Sequence, residues 1–205
     1  MHSQGIVHGD LKGVCLNHVN AFLYFSLFNT QANILIDHCG HACLADFSLI
    51  TVISDRSTFL SSCIEGGTIQ WMSPELLAPE NFGLRESRPT KESDCYALGM
   101  VIYEVLSAQR PYAPHKDFTV IRKVLDGERP RRPQGDEGKL FTDRIWRVVE
   151  LCWAVEPHQR ISAELALRGL GGNPSQSRSP SLDEHSGITS NNTSSFSSGL
   201  ARASS

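Results

Sequence analysis

Between Cys95 and Leu106 the chain carries only one charged side chain, Glu104. A helix that is apolar on almost every side has no face to give to water, so other elements must surround it. Residues 92–107 are therefore expected to form a central helix around which the rest of the chain packs. The neighbouring patterns supply helices that fit such a role. Residues 117–126 read as one, stopped by Gly127 and Pro130. Ile145, Val148, Val149 and Cys152 recur at i, i+3, i+4, i+7, which marks an amphipathic helix over 143–153. Ser162 is placed to cap a last short helix over 163–168. Residues 1–7 read as the end of a helix running into a loop. Strand signal is confined to 33–47: Asn33–Asp37 and Ala42–Phe47 read as two short strands, with Gly40 at the turn between them. The expected class is mainly α with one short β-hairpin.

Composition narrows the function. The chain has 205 residues and is 40% hydrophobic, enough for one domain with a core ending near residue 168. From Gly169 to Ser205, Gly, Ser, Asn and Pro dominate; such a segment buries too little surface to offset its ordering entropy, and a disordered tail over 169–205 is expected. A net charge of −3, with 19 Lys and Arg in no dense block, argues against a nucleic-acid or membrane-surface partner. The apolar stretch Ala21–Phe28 is far shorter than the roughly 20 residues a membrane helix needs. Met1 is followed by His, Ser, Gln and Gly rather than an apolar leader, so a soluble cytoplasmic protein is expected. Six cysteines without CxxC pairs fit reduced thiols. His38, Cys39, His41 and Cys43 invite a metal reading, but four ligands this close in sequence do not easily close a tetrahedron, and the hairpin reading accounts for them better.

The chemistry lies in a series of short motifs. In chain order these are His8-Gly9-Asp10-Leu11-Lys12, Asn33-Ile34-Leu35-Ile36, Ala45-Asp46-Phe47 and Gly67-Thr68-Ile69-Gln70-Trp71-Met72-Ser73-Pro74-Glu75. Ser93-Asp94-Cys95-Tyr96-Ala97-Leu98-Gly99 and the Cys152-Trp153…Arg160 pair follow. Singly each is weak, but their order and spacing resemble the catalytic half of a protein kinase, the C-lobe, beginning at its catalytic loop. Trp71-Met72-Ser73-Pro74-Glu75 and Leu151-Cys152-Trp153 are most similar to the tyrosine-kinase-like group, and Asp10-Leu11-Lys12 with Gly67-Thr68 to its Ser/Thr members. The resemblance covers residues 1–168 apart from 14–31.

That resemblance implies a signalling transferase that moves the γ-phosphate of ATP, with Mg2+, to Ser or Thr of a protein substrate. It implies Asp10 as the base that accepts or orients the hydroxyl proton, and Lys12 as the cation beside it, on the nucleotide's transferring phosphoryl group. Asn33 and Asp46 would be the Mg2+ ligands, and Phe47 would pack beneath, next to His8. Thr68 would bond to the Asp10–Lys12 pair and shape the site for Ser or Thr. Glu75 would form a buried ion pair with Arg160, and Asp94 would hold the backbone of the catalytic loop.

Three departures accompany the resemblance. No Gly-rich loop, strand Lys or helix Glu of an ATP-binding N-lobe can be placed in the seven residues before His8. The chain is thus expected to lack the N-lobe, to expose an apolar cleft open to a covering partner, and to be inactive as it stands. The alternative is a non-catalytic, pseudokinase-like interaction module. Second, 22 residues (11–32) separate Asp10 from Asn33, where the family has about four. Removing the 18 residues Val14–Gln31 restores that spacing; Val-Cys and Gln codons can carry intron edges, so a retained intron is expected, with a loop insertion as the alternative. Either way the Asn33–Asp10 geometry is expected to suffer. Third, Gly9 replaces the usual Arg, so an activation-loop phosphate on Ser54, Ser57, Thr58, Ser61 or Ser62 would lack that partner, and Ser48 replaces the Gly after Asp-Phe.

Overall fold

The computed structural model describes residues 1–13, 15–16, 33–36, 39–46, 67–136 and 138–171. The expectations for Phe47, Ser48, the 54–62 hydroxyls, most of 14–31 and the tail beyond 171 lie outside the described residues.

The central helix, α2, spans Lys91–Ser107 and follows a one-turn α1, Pro74–Leu77. Its start is written in the sequence as a capping box. Thr90 Oγ1 accepts from the Ser93 backbone N–H at 3.1 Å, and Ser93 Oγ accepts from the Thr90 N–H at 2.8 Å. Glu92 and Asp94 lie in the first turn, where carboxylates favour the positive end of the helix dipole. Tyr96 and Met100 are fully enclosed, and Cys95, Ala97 and Val101 are buried around them. The apolar run thus has the enclosed position its composition demands.

Three further helices surround it: α3 (Asp117–Leu125), α4 (Asp143–Cys152) and α5 (Ala163–Gly169). Helix α3 buries Val120 and Val124, one turn apart, in a core with Ile69, Trp71, Met72, Leu76, Leu77 and Trp153. Helix α4 is capped by Thr142, whose side chain accepts from the Ile145 N–H, and lays Val149 and Cys152 against α2. The contact is close enough that a Cβ on Gly99 would lie 2.8 Å from Cys152 Cβ, so this helical position requires glycine. Ser162 caps α5 by accepting from Leu165 N–H. The helix runs one residue past its expected end, to Gly169, whose carbonyl accepts from Arg144 Nε at 2.7 Å.

The N-terminal expectation of a helix end resolves into one 3-10 turn, His2–Gln4, closed by Gly5 in the left-handed region. The hairpin is present but shorter than the pattern suggested. Strand β2 (Ile34–Ile36) pairs antiparallel with β3 (Ala42–Leu44), in the register Ile34↔Leu44 and Ile36↔Ala42. The sequence did not announce β1, Cys15–Leu16, which pairs in parallel with β2 through Cys15↔Leu35. The first residues of the expected insertion are therefore tied into the sheet. Two residues are too few for a period-2 signal, so no pattern argument could have found them.

Candidate active site

Asp94 organises the loop that carries Asp10. It sits in the first turn of α2, almost wholly buried. Its Oδ2 accepts from the His8 backbone N–H at 2.7 Å and its Oδ1 from the Gly9 N–H at 2.8 Å, while His2 Nε2 lies 2.8 Å from Oδ2. A rigid helix thus fixes the loop backbone through one carboxylate. Gly9 takes φ +82°, a conformation strained for any L side chain, and a Cβ there would press on Pro89 at 3.1 Å. His8 is fully buried and joins the loop to the hairpin. Its Nδ1 faces the Asp10 N–H at 3.3 Å and so must accept, which leaves the proton on Nε2 to donate to the Ala45 carbonyl at 3.0 Å.

Asp10, Lys12, Asn33 and Thr68 come together, each no more than 8% exposed. Asp10 Oδ2 accepts from Asn33 Nδ2 at 2.7 Å and lies 3.0 Å from Lys12 Nζ. Lys12 Nζ also donates to Thr68 Oγ1 at 3.1 Å. The second oxygen, Asp10 Oδ1, is buried and has no hydrogen-bond partner among the described residues. Beside these groups a cavity of about 10 Å3, room for one water, is lined by Asp10, Thr68, Ser93 and Asp94.

Spacing alone predicts that the long interruption displaces Asn33; the structure corrects this. The Asn33 N–H donates to the Lys12 carbonyl at 3.0 Å, its carbonyl accepts from the Ala45 N–H at 2.8 Å, and its side chain also donates to the Asp10 carbonyl at 2.7 Å. Four bonds to three separate residues hold Asn33, so the two ends of the interrupted segment meet whatever the number of residues between them. Closing a longer loop adds only a slowly growing entropic cost.

Asp46 follows Ala45 at the end of β3, exposed and with φ 57°, a left-handed conformation that Asp tolerates better than most residues. Both acceptors facing Asn33 Nδ2 are oxygens, which fixes the amide orientation and leaves Oδ1 as the atom Asn33 could offer a cation. Asn33 Oδ1 and the Asp46 carboxylate are both oxygen donors, the atom type that suits Mg2+.

Glu75 and Arg160 lie apart from this cluster and form a clamp. Arg160 Nη1 and Nη2 donate to Glu75 Oε1 and Oε2, both at 2.6 Å. The remaining guanidinium protons go to the carbonyls of Ala154, Glu92 and Val155, so all five N–H groups are used. The guanidinium lies 5.1 Å from the Tyr96 ring centroid, with Arg129 at the same distance from that ring.

Sequence reasoning assigned no role to Glu104, Trp71, Arg110, Gln70 or Asp117, which tie the segment after Thr68 to the helical core. Trp71 Nε1 donates to Glu104 Oε2 at 3.1 Å, and Arg110 lies over the Trp71 ring, 5.3 Å from its centroid. Gln70 Nε2 donates to Asp117 Oδ1 at 3.0 Å. Burial pushes the Glu104 carboxyl up from its usual range to about 7, against the pull of the Trp71 bond and Arg110. The signal for it was present: a single charge in an apolar helix needs a partner.

The protein tyrosine and serine/threonine kinase profile matches residues 30–169. Mitogen-activated protein kinase kinase kinase 3 of Mus musculus is 30% identical over 175 residues, covering 82% of this chain and 22% of the mouse protein. Serine/threonine-protein kinase cds1 of Schizosaccharomyces pombe is 29% identical, covering 82% of this chain and 32% of its own length. Mitogen-activated protein kinase kinase 2 of Arabidopsis thaliana is 25% identical, covering 80% and 38%. The chain thus spans well under half of each of these relatives. Among the described residues, no helix is long and apolar enough to cross a membrane.

Proposed function

Because the chain belongs to the protein tyrosine and serine/threonine kinase family, we propose that the Asp10 site is built for phosphoryl transfer from ATP to a Ser or Thr hydroxyl of a protein. One observation carries the reading. Asp10 is buried with one oxygen held by Lys12 and Asn33, and its other oxygen has no partner among the described residues. A buried acceptor left open costs about 1–3 kcal/mol, which is repaid if an incoming hydroxyl occupies it. Oδ1 is therefore assigned to orient the substrate hydroxyl and take its proton. Lys12, which donates to Thr68 Oγ1, holds its positive charge 3.0 Å from Asp10 Oδ2, within the site where charge would develop on the transferring group. Thr68 sets the depth of the site and favours an aliphatic hydroxyl. Asn33 and Asp46 would hold Mg2+, which when bound neutralises phosphate charge. Phosphoryl transfer is mostly positioning, and the four bonds on Asn33 supply that.

Incubating the chain with Mg-ATP and a generic protein substrate tests the proposal. Phosphoserine or phosphothreonine that disappears in Asp10→Asn supports it; transfer that survives this substitution overturns it. A second reading, a non-catalytic module that docks a partner, is favoured by strand β3, exposed along its whole length, with Leu44 at its end 41% exposed. Stable capture of a partner by the chain, unaffected by Asp10→Asn and without transfer, would select it.

A further inference from the structure

Glu104 is the charge in the apolar run of α2, and the transfer reaction makes no use of it. The side chain is 9% exposed, and among the described residues its one hydrogen bond comes from Trp71 Nε1. Arg110 is the cation that bears on it, and Arg110 is engaged elsewhere. Its guanidinium covers the Trp71 ring and donates through Nη2 to Gln70 Oε1 at 3.1 Å and to the Gly67 carbonyl at 3.4 Å. The Gly67–Trp71 turn is thereby strapped at three points: its indole to Glu104, its first carbonyl to Arg110, and Gln70 to Asp117. The Trp71 N–H donates to the Thr68 carbonyl at 3.0 Å, and Thr68 Oγ1 accepts from Lys12. A short path thus runs from the α2 carboxyl to the cation beside Asp10.

Among the described residues, no other charge bonds to Glu104. The Ile69–Trp71 turn has no titratable side chain, and Asp117 at the head of α3 connects to it only through Gln70. On α4, Asp143 is taken by Arg132, Glu150 by the Trp146 indole and Arg144 by the Gly169 carbonyl, while Arg147 of α4 and His158 of the 157–159 turn packed on α2 form no hydrogen bond to Glu104 among the described residues. A buried carboxylate with one neutral donor and no ion pair populates both protonation states near neutrality. The two states hold the indole differently, since a hydrogen bond to a charged oxygen is about twice as strong as one to a neutral oxygen.

We propose that Glu104 is a proton-operated latch on the Gly67–Trp71 turn. Ionised, it grips the Trp71 indole and seats Thr68 against Lys12; on taking a proton from solvent it slackens that grip. The loss of phosphoryl transfer on slackening rests on the kinase reading; the latch itself does not.

The test is the indole N–H resonance of Trp71 in the 15N-labelled chain, assigned by its disappearance in Trp71→Phe and followed from pH 5 to pH 9. The expected result is a sigmoidal shift with a midpoint of about 7. It is accompanied by a shift of the Thr68 amide with the same midpoint, and both are lost in Glu104→Gln. A flat Trp71 resonance overturns the latch, as does the same titration in folded Glu104→Gln. A Thr68 amide that stays still while Trp71 titrates overturns the coupling to Lys12. If Glu104→Gln does not fold, 13C titration of the Glu104 carboxyl in the unsubstituted chain decides instead: a midpoint that differs from that of Trp71 refutes the latch, and an equal one supports it. The readout needs neither nucleotide nor turnover. A chain that transfers no phosphate can still show the latch, and an active chain can lack it.

Discussion

Glu75 presents both oxygens to Arg160 at 2.6 Å, whereas Asp10 presents one oxygen to Lys12 and Asn33 and leaves the other unmatched. Both carboxylates are buried and both face a cation, but their surroundings are finished to different degrees. Around Arg160 every guanidinium proton has an acceptor, and the aromatic face of Tyr96 lies beside it. Around Asp10 the network stops one partner short. A saturated ion pair has nothing left to offer a ligand and serves the fold. An unsaturated one retains a cost that a substrate can remove.

The sharpest way to break that contrast is to remove the cation of the saturated pair. Arg160→Ala strands a buried Glu75 charge and should cost about 3–5 kcal/mol, read from urea unfolding. The double substitution Glu75→Leu with Arg160→Met removes both charges and should recover at least half of the loss. If the single change costs no more than a surface pair, the clamp is not structural and the contrast fails.

Glu104 stands between the two cases, a buried carboxyl with one donor and no ion pair, and its signature is pH dependence. Its folded-state value of about 7 lies above the ordinary carboxylate value, so the folded chain binds the extra proton between those limits. The stabilisation it gives is complete below the unfolded-state value and is lost as pH rises through about 7. The loss is on the order of 3 kcal/mol. Unfolding free energies measured from pH 4.5 to pH 8 should fall by that much more in the unsubstituted chain than in Glu104→Gln.

The sequence made some of this visible and hid the rest for physical reasons. The central helix was legible because an uncharged run of that length has only one place to go, and its Thr90–Ser93 box lies directly before it. Asp10, Lys12, Asn33 and Thr68 were named from motif order, and they meet in space. Their actual contacts were hidden, because closure of Asn33 onto Asp10 depends on backbone bonds to Lys12 and Ala45 that no spacing rule encodes. Strand β1 was hidden because it is two residues long. The Trp71–Glu104–Arg110 cluster was hidden because its members are 33 and 39 residues apart along the chain and meet only once α2 is enclosed.

Asp94 tests whether the contrast is about charge or about acceptors. Its two oxygens take the His8 and Gly9 backbone N–H groups at 2.7 and 2.8 Å. Asp94→Asn keeps one acceptor and turns an N–H toward the other donor, which should cost about 2 kcal/mol. Less loss than in Arg160→Ala, with the loop 8–10 amides exchanging faster in hydrogen-exchange measurements, would show that Asp94 acts as a local anchor rather than a global clamp.

The smallest effect is expected at Asp10. Asp10→Asn is isosteric, and its carbonyl oxygen can still accept from Asn33 and Lys12. The new amide group replaces an oxygen that had no partner, so one unmatched atom is exchanged for another. Stability should fall by no more than about 2 kcal/mol, because the change removes no satisfied hydrogen bond although the buried Lys12 ammonium loses its countercharge. The oxygen proposed to accept the proton is lost all the same, and any transfer should vanish with it. A fall in stability as large as that of Arg160→Ala would mean that Asp10 is a second structural ion pair, and that its unpaired oxygen is not kept open for a substrate.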